Sequence, residues 1–365
     1  MQMPRLRTPF ASYRMKKSIV GMVAFGLTAL VSTVAVATQD IRLFGAGATF
    51  PAPLYKKWVA EYQKLNPTVQ IDFQPIGSGG GIKAITDKTV AFGATDAPLN
   101  KKEIEAMGGE AKVIQFPTVA GAVVAAYRIE GVTTELKFTG DLLADIFMGK
   151  ISKWNDPKIV ALNPDAKLPN LAITPAYRTD GSGTTFVWSN YLATQSESFK
   201  STVGAGKQVK WPVGQGGKGN EGVSAVVQST NGALGYIEYN YAVQNKLANA
   251  SLKNAAGKFV KASPAAISVA GEGAVSQLKG NVLSADIWNQ AGEGAYPAAA
   301  FTYIILHSDL SSVKTADEAK AIVNFLKWCL ADGQKLAGEM DYAPLSPSVA
   351  TKALDALNTA KHAGK

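Results

Sequence analysis

Three short segments put glycines and hydroxyl residues where a strand-like run gives way to a helix-like one. They are Gly45-Ala46-Gly47-Ala48-Thr49-Phe50-Pro51, Gly77-Ser78-Gly79-Gly80-Gly81 and Arg178-Thr179-Asp180-Gly181-Ser182-Gly183-Thr184. A helix start carries free backbone N–H groups and a partial positive charge. Glycines let an anion approach those groups closely, and Ser/Thr hydroxyls add donors. Three such starts in one chain, one of them with an arginine, predict a shell of hydrogen-bond donors around a small oxyanion.

Each segment also has a plainer reading. Gly45 to Pro51 reads Gly-x-Gly-x-x-Phe, lacks the third glycine of a dinucleotide fingerprint, and has no acidic residue at the expected strand end, so a structural turn is its alternative. Gly77 to Gly81 is not a phosphate-loop NTPase motif, since Lys83 follows two residues later with no Ser/Thr after it; simple flexibility is the alternative there. Arg178, Asp180, Ser182 and Thr184 form the sharpest cluster. Arginine offers a planar donor fork to an oxyanion, and Asp180 either holds that fork or caps the next helix. The plain alternative is a capped helix with a surface arginine. Asp96 is a carboxylate in company that suits anions. It fits only if the anion brings a proton to donate, as monohydrogen phosphate does and sulfate near neutral pH does not; standing alone it would read as a cap or a solvated side chain.

Signs of catalysis are few. The two histidines, His307 and His362, have no nearby partner in sequence that suggests a metal site or a triad, and no Gly-x-Ser-x-Gly elbow stands beside a candidate base. No catalytic residue, metal or cofactor is expected. The net charge of +9 is misleading, because Arg5, Arg7, Arg14, Lys16 and Lys17 supply five positive charges with no acid before residue 38. No basic run interleaved with aromatics speaks for nucleic acid.

The elements that must position the loops follow from periodicity. Leu54, Trp58, Tyr62 and Leu65 recur at helical spacing after Pro51, with Thr49 as a cap. Val69, Ile71 and Phe73 alternate as a strand, and a helix is expected from about Ile82. Val90 to Ala94 reads as a strand that delivers Asp96 at its end. Asn100 and Glu103 have the spacing of a capping box. Val113 to Val119 and Ala122 to Tyr127 are two extended apolar runs. Phe138 to Ile151 reads as a helix, Leu171 to Tyr177 as a strand, Trp211 to Gly222 as a loop and Gly232 to Ile237 as a strand. Phe301 to Leu306 reads as a buried strand and Ala316 to Leu330 as an amphipathic helix. Alternating strands and helices predict an α/β sheet with ligand beyond the strand ends. The single cysteine, Cys329, shares a helical stripe with Ile322, Phe325 and Leu326 and reads as a small buried hydrophobe.

The first 37 residues read as a secretory signal: Arg14, Lys16 and Lys17, the apolar run Ile19 to Val31, and the small-residue site Ala35-Val36-Ala37, giving a mature start at Thr38. An uncleaved membrane anchor is the alternative, for which the apolar run is short. No cysteine follows the apolar run to carry a lipid, so a protein released into a periplasm is expected.

Taken together, Gly-Ala-Gly-Ala-Thr-Phe-Pro-Ala-Pro (residues 45–53), Phe-Gly-Ala-Thr-Asp-Ala-Pro-Leu (92–99), Gln-Phe-Pro-Thr-Val (115–119), Asp-Gly-Ser-Gly-Thr (180–184), Lys-Trp-Pro-Val-Gly (210–214) and Gly-Gly-Lys-Gly-Asn (216–220) have a joint order that is highly specific. The chain resembles the periplasmic phosphate-binding proteins of bacterial phosphate ABC transporters from Thr38 to about Leu357. The resemblance implies an α/β, two-lobed periplasmic binding protein fold of the type II kind, each lobe a sheet flanked by helices, with two hinge crossings near Phe116 to Ala120 and Ala299 to Tyr303. It implies a first lobe of residues 38–118 plus 301–365 and a second of 119–300. It implies phosphate contacts from Thr49, Phe50 (through its N–H), Ser78, Asp96, Arg178, Asp180, Ser182, Gly183 and Thr184. The family often has a second serine where this chain has Gly79. The implied partners are inorganic phosphate and a transmembrane permease, with the binding protein a monomer. The rival readings are a phosphate-ester hydrolase built on the same cradle, or a binder of sulfate, molybdate or another tetrahedral oxyanion.

Overall fold

The computed structural model describes residues 40–362; the signal segment and its cleavage site lie outside them. In chain order the elements are β1 (Ile41–Gly47), α1 (Ala52–Leu65), β2 (Val69–Pro75), α2 (Ser78–Thr86), β3 (Phe92–Thr95), α3 (Lys101–Ala106) and β4 (Val113–Tyr127). Then come β5 (Lys137–Phe138), α4 (Gly140–Phe147), α5 (Pro157–Leu162), β6 (Thr174–Arg178), α6 (Gly183–Gln195), α7 (Glu197–Thr202), β7 (Gln215–Gly217), α8 (Gly219–Ser229), β8 (Ala233–Glu238) and α9 (Tyr239–Gln244). The remainder is β9 (Ala248–Asn249), β10 (Ser251–Lys253), β11 (Phe259–Val260), α10 (Pro264–Gly271), β12 (Ala299–His307), α11 (Ala316–Leu330), α12 (Gln334–Glu339) and α13 (Pro347–Asn358).

The main sheet runs β2-β1-β3-β12-β4-β8-β6-β7, with β9 on β4; β5, β10 and β11 form a small second sheet. Two parallel trios stand at its ends, β2-β1-β3 and β8-β6-β7. Between them lie the antiparallel strands β12 and β4, which pair over their length with one register shift between Thr302 and Tyr303. Ligands of parallel sheets gather beyond the carboxyl ends of the strands, and all three glycine-rich segments lie there, after β1, β2 and β6.

Most of the expected elements form, and the differences have physical causes. The two apolar runs from Val113 are one strand of 15 residues, buried throughout, so no turn signal interrupts it at Ala120 and Gly121. The helix expected from Ile82 begins at Ser78, with the glycines inside it. Packing overrides their poor helix propensity: a Cβ on Gly81 would lie 2.4 Å from Gly47 Cα and 2.8 Å from Ala94 O, so only glycine lets α2 rest on β1 and β3. The helix read over Phe138 to Ile151 is the shorter α4. Leu65 closes α1 in the open, 66% exposed, while Leu54, Trp58 and Tyr62 are buried. Cys329 is buried with Ile322, Phe325 and Leu326. Asn100 and Glu103 make both halves of a capping box on α3.

Candidate anion site

The site forms where the loops after β1, β2, β3 and β6 converge. Thr49 does not cap α1, whose start at Pro51 has no side-chain cap. Its hydroxyl instead accepts from the Asn220 backbone N–H at 3.1 Å and from Asn220 Nδ2 at 2.8 Å. Phe50 is fully buried, its carbonyl accepts from the Tyr342 hydroxyl at 2.7 Å, and its N–H has no acceptor among the described residues. Ser78 is the first residue of α2, and its Oγ accepts from Gly183 N at 3.0 Å and Asp96 N at 3.3 Å. Gly79 N donates to Gly181 O at 2.8 Å, and a Cβ at position 79 would stand 3.2 Å from Gly181 Cα. Two backbones therefore meet closely at Gly79, with little room for a larger side chain.

From the other side, β6 ends in Arg178, whose side chain is almost wholly buried. Its Nε and Nη2 donate to Asp180 Oδ1 and Oδ2 at 2.8 and 2.5 Å, and Nη1 donates to Thr184 Oγ1 at 3.1 Å. Of the two roles open to Asp180, the geometry selects the fork holder; it also accepts from Gly219 N at 3.0 Å. Ser182 is the cap of α6, accepting from Thr185 N at 3.0 Å. The Arg178 N–H is itself held by the Tyr236 hydroxyl at 3.0 Å.

Thr49, Ser78, Ser182 and Thr184 share one arrangement. Each hydroxyl oxygen accepts at least one N–H, so its single proton remains to be donated, that of Ser78 with the Asp96 carboxylate as one acceptor. Arg178 likewise uses three of its five N–H groups on protein acceptors. The cluster is thus rich in buried donors.

Asp96 is the exception. It is 2% exposed and its Oδ1 has no hydrogen-bond partner. Burial pushes its carboxyl up to about 7, against the hydrogen bonds of Thr302 and Ser78 and the charge of Arg178, which pull it down. Asp180 ends up below the usual carboxylate range: burial pushes it up, but the Arg178 fork and the Gly219 N–H outweigh that. The two aspartates of the site therefore differ in kind, one neutralised by a cation and one with a free oxygen.

The structure brings all nine predicted residues to one place. Sequence reasoning missed Asn220. Fully buried, it donates through Nδ2 to both Thr49 Oγ1 and Thr184 Oγ1 (3.2 Å), and its Oδ1 accepts from Glu238 N at 2.9 Å. The signal was present: Gly-Gly-Lys-Gly-Asn is a fourth glycine-rich strand-to-helix start, between β7 and α8, read as part of a loop.

The sequence matches the PBP superfamily domain over residues 32–332. It is 44% identical over 328 residues to the phosphate-binding protein PstS of Pasteurella multocida, covering 89% of this chain and 92% of that one. It is 42% identical over 313 residues to the protein of the same name from Xylella fastidiosa, covering 86% and 84%. Among solved structures, a phosphate-binding protein from Stenotrophomonas maltophilia shares the fold with a TM-score of 0.66 at 18% identity, covering 87% of this chain and 94% of that one. With a superfamily match over most of its length and relatives this similar end to end, the chain belongs to the PstS family of phosphate-binding proteins.

Proposed function

We propose that this protein captures inorganic phosphate and delivers it unchanged to the permease of a phosphate ABC transporter. The observation that carries the reading is the composition of the buried cluster: hydroxyl, guanidinium and backbone donors surround a carboxylate with one unpartnered oxygen. Donors stand in for the water that the anion loses. The Asp96 oxygen accepts the proton of monohydrogen phosphate, a proton that sulfate lacks. In this reading Thr49, Phe50 (through its N–H), Ser78, Asp96, Arg178, Ser182, Gly183 and Thr184 touch the anion, and Asp180 acts by holding Arg178.

The same reading divides the chain into lobes of residues 38–118 plus 301–365 and 119–300. In it the β4/β12 pair carries both crossings, at Phe116 to Ala120 and Ala299 to Tyr303, which overlap in register from Phe301 opposite Ala120 to Tyr303 opposite Pro117. Closure brings Ser78 to Gly183 and Gly79 to Gly181, and a permease reads the changed surface of the lobes. The protein acts as a monomer in the periplasm, exported by cleavage after Ala37. No helix among the described residues is long and apolar enough to cross a membrane.

Calorimetry on the ligand-stripped mature protein tests this. Phosphate should saturate one site, and sulfate should bind far more weakly. Equal binding of the two anions, or no heat from phosphate, overturns the reading. A hydrolase should turn over a chromogenic phosphate ester; a binding protein should not.

A further inference from the structure

Among the donors of the proposed shell, the Phe50 N–H belongs to a peptide outside any helix or strand. Its direction is set by a phenol on the carbonyl of its own peptide, and a second phenol holds the peptide that follows. The Tyr241 hydroxyl donates to Thr49 O at 2.6 Å, and the Tyr342 hydroxyl donates to Phe50 O at 2.7 Å. Both rings are buried. The C=O and N–H of a trans peptide point in opposite directions. Thr49 O also accepts the Ala52 N–H at 3.2 Å, and with the shorter Tyr241 bond this anchoring turns the Phe50 N–H the other way, where it has no acceptor among the described residues. A carbonyl that accepts a hydrogen bond also makes the N–H of its own peptide a stronger donor.

Tyr241 lies on α9 and Thr49 follows β1, so the bond joins chain segments 192 residues apart, from opposite sides of the cleft. Asn220 grips the Thr49 hydroxyl from the same side. Thr49 is thus held at carbonyl and side chain together by the half of the molecule that carries Arg178. The Tyr241 hydroxyl also lies 3.0 Å from Glu221 Oε1. With one proton and two acceptors, the phenol gives the shorter bond to the peptide. Burial keeps its proton on, pushing the phenol well above its ordinary range.

We propose that Tyr241 is a positioning residue for anion capture: it fixes the Thr49–Phe50 peptide across the cleft, beyond the local hold of the Ala52 N–H, so that the Phe50 N–H is aimed at the anion when the two halves are together. This rests on the phosphate-binding reading above. The test compares wild type with Tyr241→Phe, which removes only the hydroxyl, by phosphate titration and by the 1H–15N resonance of the Phe50 amide in the phosphate-saturated state. The dissociation constant should rise about tenfold, the size of one lost hydrogen bond. The Phe50 amide proton should move upfield while those of Ser78 and Thr184 stay in place, and the phosphate-to-sulfate ratio should hold. A dissociation constant within twofold of wild type, or an affinity loss with the Phe50 amide unmoved, overturns the proposal. Should Tyr241→Phe fail to fold, Glu221→Gln at the exposed competing acceptor replaces it. The Phe50 amide should then move downfield with affinity equal or tighter, and an unmoved amide overturns the proposal. If wild type itself does not bind phosphate, the functional reading falls and the proposal with it; if wild type binds and the variant matches it, only the role of Tyr241 falls.

Discussion

The helices α2 and α6 start opposite each other across the site, and they are built on different principles. α2 begins Gly77-Ser78-Gly79-Gly80-Gly81 with no side-chain cap, and one of its first N–H groups, that of Gly79, donates to Gly181 O from the facing wall. α6 begins with a capping serine and is preceded by an ion pair, Arg178 with Asp180. One start supplies bare dipoles and close approach; the other supplies full charge held in a fixed geometry. They meet at Ser78 Oγ, which accepts the Gly183 N–H. The pairing suits an anion that must be bound firmly yet released: the cation sits in one wall only, and in the proposed reading the carboxylate of the facing wall, Asp96, limits which anions are accepted.

If the charged wall dominates binding, Arg178→Ala has the largest effect. It removes charge-assisted bonds and leaves Asp180 without its partner, so phosphate affinity should fall by roughly 1.5–3 kcal/mol or more. Thermal unfolding should show a folded protein, because the core lies in the sheet and its covering helices. Unchanged affinity by calorimetry would reverse the ranking of the two walls. Gly183→Ala tests the meeting of the walls rather than either one. A Cβ there would lie 2.4 Å from Asp96 Oδ2 and 2.6 Å from Ser78 Oγ, closer than atoms can pack. Closure should be blocked, at a cost of about 1–3 kcal/mol in phosphate binding, with the open form intact. Small-angle scattering with saturating phosphate should find the variant more extended than wild type.

Much of this contrast was legible before the fold was known. The Asn100 box, the helix over Ala316 to Leu330 and the strand that delivers Asp96 follow local rules of capping and period, which neighbours did not overturn. The start of α2 was not legible, because glycine's local preference is against helix and only contact with Gly47 and Ala94 reverses it. Thr49 illustrates a second limit. A threonine before Pro51 reads as a cap, yet its hydroxyl is taken by Asn220, 171 residues away. Local grammar cannot show which of two acceptable partners arrives from far along the chain. Asn220 itself went unread for the same reason, since its value lies in touching Thr49 and Thr184 at once.

The wall without the arginine can be sharpened through Asp96. Asp96→Asn replaces a repelling carboxylate with an amide that can donate, so the preference for phosphate over sulfate should narrow even where phosphate affinity changes modestly. pH gives the same lever without mutation. The carboxyl, raised from 3.8 to about 7 by burial, holds its proton below about pH 7 in the anion-free protein. Protonated, it donates to sulfate instead of repelling it. Selectivity should therefore be full above pH 7 and shrink as pH falls through it. For the anion-free fold the sign is the reverse of a paired carboxylate: the native state keeps a proton that the unfolded chain has released, so stability declines as pH rises from about 4 to about 7. Competitive titration of both anions across that window checks the first statement. A ratio that stays flat in both the pH series and Asp96→Asn would move selectivity to Asp180 or the backbone.

The smallest effect concerns the rim, where the two walls are joined by charge alone. Lys207 Nζ pairs with Glu103 Oε1, a contact between α3 and the loop before β7. Both partners are held in place: Glu103 Oε2 is anchored by the Asn100 N–H in the capping box, and Lys207 O accepts the Ser182 N–H at 2.9 Å. Ordering them in the pair therefore costs little entropy. Their side chains are 19% and 21% exposed, between a surface pair and a buried one. Such a pair contributes on the order of 0.5–1 kcal/mol at low salt and less when screened. Lys207→Ala should weaken phosphate binding by about that much, mainly through faster release, since the pair exists only once the walls have met. The difference between variant and wild type should shrink as salt is raised, while the Arg178→Ala difference, from a group sealed inside the site, should persist. Stopped-flow release of phosphate at low and high salt separates the two. A Lys207→Ala protein that releases phosphate at the wild-type rate at low salt would show that the interior contacts alone hold the walls together.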